Sequence, residues 1–252
     1  MKSERKKSSI KNMITAVGSN IITIIVGLVA QAIFIKILGS EYLGLNGLFS
    51  NIISMLGIVE LGIGSAIIYN MYKPIAEKDT EKIKSLMKFY KKSYNIITLI
   101  IACIGILMIP FIKYVVDIES VTADINVYIV YLLFLSETIC SYILSYKRSI
   151  LYADQKEYIT NITHIGYTVV VNTLQLISLY LTHNYYLYLI IKIMMRLMEN
   201  IVISVIVTKK YEYLNDKSIE SLDKQTEKDI FQKIKALFFH KIGTFIVSGT
   251  DN

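Results

Sequence analysis

The chain has 252 residues, is 54% hydrophobic with a mean hydropathy of +0.49, and contains two prolines and twelve glycines. That profile excludes a soluble domain built on one core and indicates a polytopic membrane protein. The net charge of +7 comes from clustered lysines rather than one basic face, which fits membrane topology and argues against nucleic acid as a partner.

Continuous apolar runs predict six transmembrane helices: Asn12–Leu38, Leu43–Tyr72, Tyr94–Val116, Val127–Tyr146, Tyr158–Thr182 and Tyr185–Val207. A seventh begins near Leu237 and is cut at Asn252, so a fragment or a truncated reading frame is expected. The expected organisation is an all-α lobe over 1–208, a cytoplasmic linker over 209–236 and the start of the next span over 237–252. Within the linker, Ile230, Phe231, Ile234, Leu237 and Phe238 share one helical face, which suits either an amphipathic surface helix or a solvated connection.

The first span follows Lys2, Arg5, Lys6, Lys7 and Lys11. Ala30-Gln31-Ala32 has the form of a cleavage site, but the apolar stretch before it is too long for a signal peptide and continues through Ile33–Ile35. An uncleaved helix is expected. Its polar residues Thr15, Ser19, Thr23, Gly27 and Gln31 recur every four residues and share a face. The second span is glycine-rich, with Gly44, Gly47, Gly57, Gly62 and Gly64, and carries Glu60. Such a helix suits close packing or bending.

The third and fourth spans contain Cys103 and Cys140, which form no metal or disulfide pattern and are expected to be small buried apolar residues. In the fourth, Glu137, Ser141, Ser145 and Arg148 lie near one face; in the fifth, Asn161, His164, Thr168, Asn172 and Gln175 do the same. In lipid such faces must meet protein or water. Each polar residue alone reads as helix–helix glue; together with the acids they suit a water-filled cavity.

The sixth span carries Lys192, Arg196 and Glu199. Arg196 lies about a dozen residues from either end, or about 18 Å at a rise of about 1.5 Å per residue. A charge at the bilayer centre costs about 2.5–3.5 kcal/mol on insertion scales, so it needs a partner, a wet cavity or an anion. Two readings stand. Arg196, helped by Lys192, binds an anionic substrate, with Glu199 one turn away as resting counter-ion and Glu60 and Glu137 as counter-ions or ion-coupling sites. Alternatively an Arg196–Glu199 or Arg196–Glu137 pair fixes packing.

Loop cations alternate with loop parity. The N-terminus, the second-to-third loop (Lys73 to Lys92), the fourth-to-fifth (Lys147, Arg148, Lys156) and the sixth-to-seventh (Lys209 to Lys235) are basic. The other loops are short or carry Glu41, Asp117, Glu119 and Asp124. The expected N-terminus is cytoplasmic, with those cations serving topology. No metal-spaced cluster, phosphate-cradling loop or nucleophile motif occurs, so no enzyme activity and no cofactor are expected.

The stretch Leu38-Gly39-Ser40-Glu41-Tyr42-Leu43-Gly44-Leu45-Asn46-Gly47-Leu48-Phe49, then Val59-Glu60-Leu61-Gly62-Ile63-Gly64-Ser65-Ala66, resembles the second helix of bacterial polysaccharide flippases. These belong to the multidrug/oligosaccharidyl-lipid/polysaccharide exporter superfamily. Ser145-Tyr146-Lys147-Arg148-Ser149 through Ala153-Asp154-Gln155-Lys156 and His240 through Asn252 extend the resemblance. It implies two six-helix lobes around a cavity that is often cationic, of which this chain supplies the first. It also implies transport of undecaprenyl-diphosphate-linked oligosaccharide across the bacterial cytoplasmic membrane, with membrane lipids and glycan polymerase machinery as partners. The alternatives are multidrug or cation efflux within the same superfamily, and a non-transporting assembly subunit.

Overall fold

In lipid a backbone satisfies its own polar groups as a helix or a closed barrel, and this chain takes the first course. The computed structural model describes residues 2–60, 63–116, 125–216 and 222–250, and among these no strand occurs. The helices are α1 (Lys2–Leu38), α2 (Ser40–Leu56), α3 (Ile63–Glu77), α4 (Thr80–Met108), α5 (Ile112–Val115), α6 (Val127–Tyr142), α7 (Arg148–Ala153), α8 (Glu157–Thr182), α9 (Tyr185–Lys210) and α10 (Lys224–Thr250). Among the described residues, four stretches are long and apolar enough to cross a membrane: Lys6–Leu38, Thr80–Tyr114, Val127–Ala153 and Glu157–Thr182. Helix α9 has 26 residues, but Lys192, Arg196 and Glu199 interrupt its apolar run.

Helix α1 lies along α8, α8 packs on α9, and α9 packs on α6; α3 lies against α4 and α7. Ser19, Ala30 and Phe34 of α1 are buried, while Ile14, Val17, Ile21, Ile25 and Leu28 are exposed. That outer surface suits lipid, where helices associate through packing and hydrogen bonds rather than apolar burial. Gly39 ends α1 with a φ of 97°, a left-handed value that would strain a side chain, and its N–H still reaches the Ile35 carbonyl at 2.8 Å.

Two expected spans are broken. The stretch Leu43–Tyr72 divides into α2 and α3 at a 3₁₀ segment, Gly57–Glu60, as its glycines permit; Leu61 and Gly62 lie outside the described residues. The stretch Val127–Tyr146 divides after Tyr142, where Leu144 takes a φ of 63°, a 3₁₀ turn spans Ser145–Lys147, and α7 begins at Arg148. Arg148 is therefore a helix residue facing the bundle, not a loop cation.

Helix α4 starts at Thr80, earlier than expected, because the Asp79 carboxylate caps it by accepting from the Lys82 N–H at 2.9 Å. Much of the basic second-to-third loop is thus helical. Its lysines make ion pairs: Lys82 reaches Asp223 at 2.7 Å, and Lys84 reaches Glu81 at 2.6 Å and Asp216 at 3.0 Å. The expected acidic residues Asp117, Glu119 and Asp124 lie outside the described residues. Cys103 is exposed on the outer face of α4 and Cys140 is half-buried, so the expectation of two buried thiols is corrected.

Hydrogen bonds sort the connections into two ends. At one, Asn12 Nδ2 donates to the Gln155 carbonyl at 3.0 Å, Lys147 to Thr208 at 2.7 Å, and Tyr211 to Asp154 at 2.7 Å. At the other, Tyr185 donates to Asn46 at 2.8 Å and the Asn126 N–H donates to the Tyr186 hydroxyl at 2.6 Å. The connections rich in lysine share the first end. Helix α10 is continuous from Lys224 to Thr250, without a break at the boundary expected near residue 237; Ile230 is buried and Phe231 largely exposed. The side chains of Phe238 and residues 240–250 lie outside the description.

Candidate functional site

On α9, Lys192, Arg196, Glu199 and Asn200 fall at helical spacing on one side. Helix α6 brings Glu137 to them, α8 brings His164 and Tyr167, and the break after α6 turns Arg148 inward. The Glu199 side chain is fully buried. Its Oε2 accepts from Arg196 Nη1 at 2.7 Å, and its Oε1 lies 3.1 Å from His164 Nδ1 and 3.3 Å from Arg148 Nη2. Arg196 Nε also donates to Glu137 at 3.1 Å, and Lys192 lies 3.9 Å from the same carboxylate. The Arg196 guanidinium sits over the Tyr167 ring at 4.6 Å and the Lys192 ammonium over the Phe134 ring at 5.3 Å.

Asn200 joins this network to the helix break. Its Oδ1 accepts from Arg148 Nη2 at 2.7 Å, and its Nδ2 donates to the carbonyls of Cys140 and Ser141 at 3.0 and 3.1 Å. Those carbonyls lose their helical partners where α6 stops, and a buried side chain replaces them. Asn200 and Tyr167 were not singled out from sequence. The spacing of Asn200 from Lys192 and Arg196, eight and four residues, was the available signal.

The network holds three fixed cations, Lys192, Arg196 and Arg148, against two carboxylates, Glu137 and Glu199. These fixed charges leave one surplus positive charge. Arg148 Nε is buried and has no hydrogen-bond partner among the described residues. The arrangement suits an anion, since a guanidinium offers planar, charge-assisted donors to phosphate or carboxylate.

Arg196 lines two cavities. One, of about 290 Å³, also meets Glu60, Tyr94, Ser145 and Arg148. The other, of about 390 Å³, is lined by His164, Thr168, Asn172, Gln175 and Lys192. The α8 stripe therefore divides: these four polar residues face the cavity, while Asn161 lies beyond it and donates to Thr15 at 3.3 Å. Within the stripe, Gln175 donates to the Tyr188 carbonyl at 2.9 Å and Asn172 to the Thr168 carbonyl at 2.8 Å. Glu60 shares a cavity with Arg148 and Arg196 but forms no ion pair with either among the described residues. Its carboxylate accepts from the Tyr94 hydroxyl, which Tyr90 contacts in turn at 3.2 Å.

No curated protein matches this chain in a sequence comparison. Among solved structures, the fold is similar to a Vibrio cholerae MATE transporter, VcmN, in its bent form, with a TM-score of 0.59 at 11% identity. The match covers 98% of this chain and 57% of that one, so the chain spans little more than half the length of its structural relative. The likeness is one of fold, and it agrees with a multi-pass helical membrane protein. Residues 9–252 match the family described as polysaccharide biosynthesis protein, and the chain belongs to that family.

Proposed function

We propose that the chain forms part of a flippase that moves an undecaprenyl-diphosphate-linked oligosaccharide across the bacterial cytoplasmic membrane for surface polysaccharide synthesis. The surplus positive charge around Arg196 carries this reading. Arg196 and Lys192, joined by Arg148, attract the diphosphate, and Glu199 and Glu137 hold these cations when substrate is absent. His164, Thr168, Asn172 and Gln175 line the path beside them. Glu60, placed among tyrosines, is the candidate for ion coupling. The N-terminus and the lysine-rich end face the cytoplasm in this reading, as the distribution of loop cations supports. Residues 1–208 act as the first lobe, 209–236 as the linker and 237–252 as the start of the next span.

Efflux of a cationic drug calls for a surplus of acid in the cavity, whereas the two cavities at Arg196 are lined by Lys192, Arg196 and Arg148 against the single carboxylate of Glu60, which weighs against it. Arg196→Gln, at matched expression in cells, is expected to abolish surface export of lipid-linked sugar while the protein still reaches the membrane. Export at the wild-type rate would remove Arg196 from the mechanism.

A further inference from the structure

The lysine-rich end contains a cavity that the transport reading leaves unused. It lies between the start of α1, the end of α3 and the turn joining α7 to α8, and measures about 910 Å³, larger than either cavity at Arg196. Lys7, Lys11, Lys73, Lys78 and Lys156 line it, with Asp154 as the acid on its wall. Five cations against one carboxylate leave a surplus of four.

Other lysines at this end are matched by acids, as Lys82 is by Asp223 and Lys84 by Glu81 and Asp216. Inside the cavity the matching is incomplete. Lys156 is held by Asp154 at 2.5 Å, and Lys73 lies 3.9 Å from Glu77 in an exposed pair. Lys11 sits over the Tyr158 ring at 5.3 Å and has no carboxylate partner among the described residues. Neither Lys7 nor Lys78 has an acidic partner among the described residues.

The backbone adds a second observation. Lys78 and Gln155, with φ of 59° and 56°, both line this cavity. Glycine takes that conformation more easily than either residue, yet the chain keeps a side chain at both places. Both residues close a helix C-terminus, with the Asp79 N–H reaching the Pro74 carbonyl at 2.9 Å and the Lys156 N–H the Leu151 carbonyl at 2.7 Å, which fixes the backbone of two cavity walls. Asn12 fixes the opposite wall. Its Nδ2 donates to the Gln155 carbonyl at 3.0 Å, and its Oδ1 accepts from the Tyr158 N–H at 2.8 Å.

We infer that this cavity binds the phosphate headgroup of an anionic bilayer lipid, whose acyl chains run along the exposed apolar residues Ile14, Val17 and Ile21 of α1. Basic pockets between helices at a membrane surface suit such headgroups, and lysines, as flexible point charges, tolerate variation in headgroup shape. The inference is independent of the transport reading, needing only that the lysine-rich end lie at a membrane surface.

The test uses the whole protein in nanodiscs containing phosphatidylglycerol and phosphatidylcholine, with retained lipid counted by native mass spectrometry. Wild-type protein is expected to retain phosphatidylglycerol selectively. Lys7, Lys11 and Lys78 changed together to Gln should weaken that retention on the order of a hundred-fold. Lys92, Lys209 and Lys210 changed together to Gln should leave it intact. Lys78→Gly separates binding from folding: relief of the left-handed strain should raise the melting temperature while phosphatidylglycerol retention falls. Unchanged retention in the cavity variants, or equal loss in the control, would overturn the assignment. Displacement of phosphatidylglycerol by inorganic phosphate would make this a free-anion site, and displacement by polyprenyl diphosphate a substrate site; either result overturns it.

Discussion

Arg148 and Glu199 meet at 3.3 Å because α6 stops at Tyr142 and Leu144 turns left-handed, swinging the start of α7 against α9. The Glu199 carboxylate is thereby enclosed by two guanidinium groups and an imidazole. Removing one member of a buried ionic cluster leaves the others uncompensated, which is a larger loss than the net value of any single pair. Glu199→Gln is therefore expected to lower stability by about 3–5 kcal/mol. A thermal melt in detergent checks it. A melting temperature equal to wild type would mean that water, not Glu199, compensates Arg148 and Arg196.

Part of this cluster was legible in the sequence. Arg196 and Glu199 are three residues apart on an apolar helix, and a charge in lipid needs a partner, so their pairing follows from spacing and dielectric, while Arg196–Glu137 was an alternative pair that the structure shows alongside it. Arg148 was legible on the Glu137 face of the fourth span but not as a partner of Glu199. Its neighbours Lys147 and Lys156 give it the look of a loop cation, and the left-handed residue that redirects it is a leucine, which carries no turn signature. The glycines around Glu60 announced a weak point in the second span, but the contact of Glu60 with Tyr94 joins residues distant in the chain and has no local signal. The α8 stripe was readable as one face, though α1 captures Asn161 at one end of it through Thr15.

Gly105 marks the tightest helix contact among the described glycines. A Cβ there would lie 2.8 Å from Leu135 Cδ2 and 3.1 Å from Cγ, and closer still to Cδ1. Leu135 is 2% exposed, and the Gly105 carbonyl accepts from the buried Tyr131 hydroxyl at 2.8 Å, so α4 and α6 cannot simply part. Alanine improves helix propensity by about 1 kcal/mol in water, whereas overpacking costs about 1–3 kcal/mol. The clash should win. Gly105→Ala is expected to lower the melting temperature and Gly105→Leu to prevent stable folding. Gly44→Ala, with nothing within 4 Å of its Cβ, should leave the melting temperature unchanged or raise it.

Asp223 ties the first turn of α10 to α4. Its carboxylate accepts from Lys82 Nζ at 2.7 Å, and from the Thr226 hydroxyl and Thr226 N–H at 2.7 Å each. The bond from Lys82, and then those from Thr226, hold its carboxyl well below the usual carboxylate range. A depressed folded value means that the stabilisation is present above the ordinary carboxylate pKa of about 3.9 and is lost as pH falls below it. The pair is exposed, so the effect is small. Amide exchange over residues 224–228, corrected for intrinsic rates, should therefore stay constant from neutral pH to about 5 and rise, by less than about five-fold, at lower pH. Asp223→Asn keeps an acceptor for the Thr226 N–H but loses the ion pair. It should show the faster exchange already at neutral pH and no further change on acidification. A wild-type profile in that variant would assign the α4–α10 contact to the packing of Ile230 instead of to this bridge.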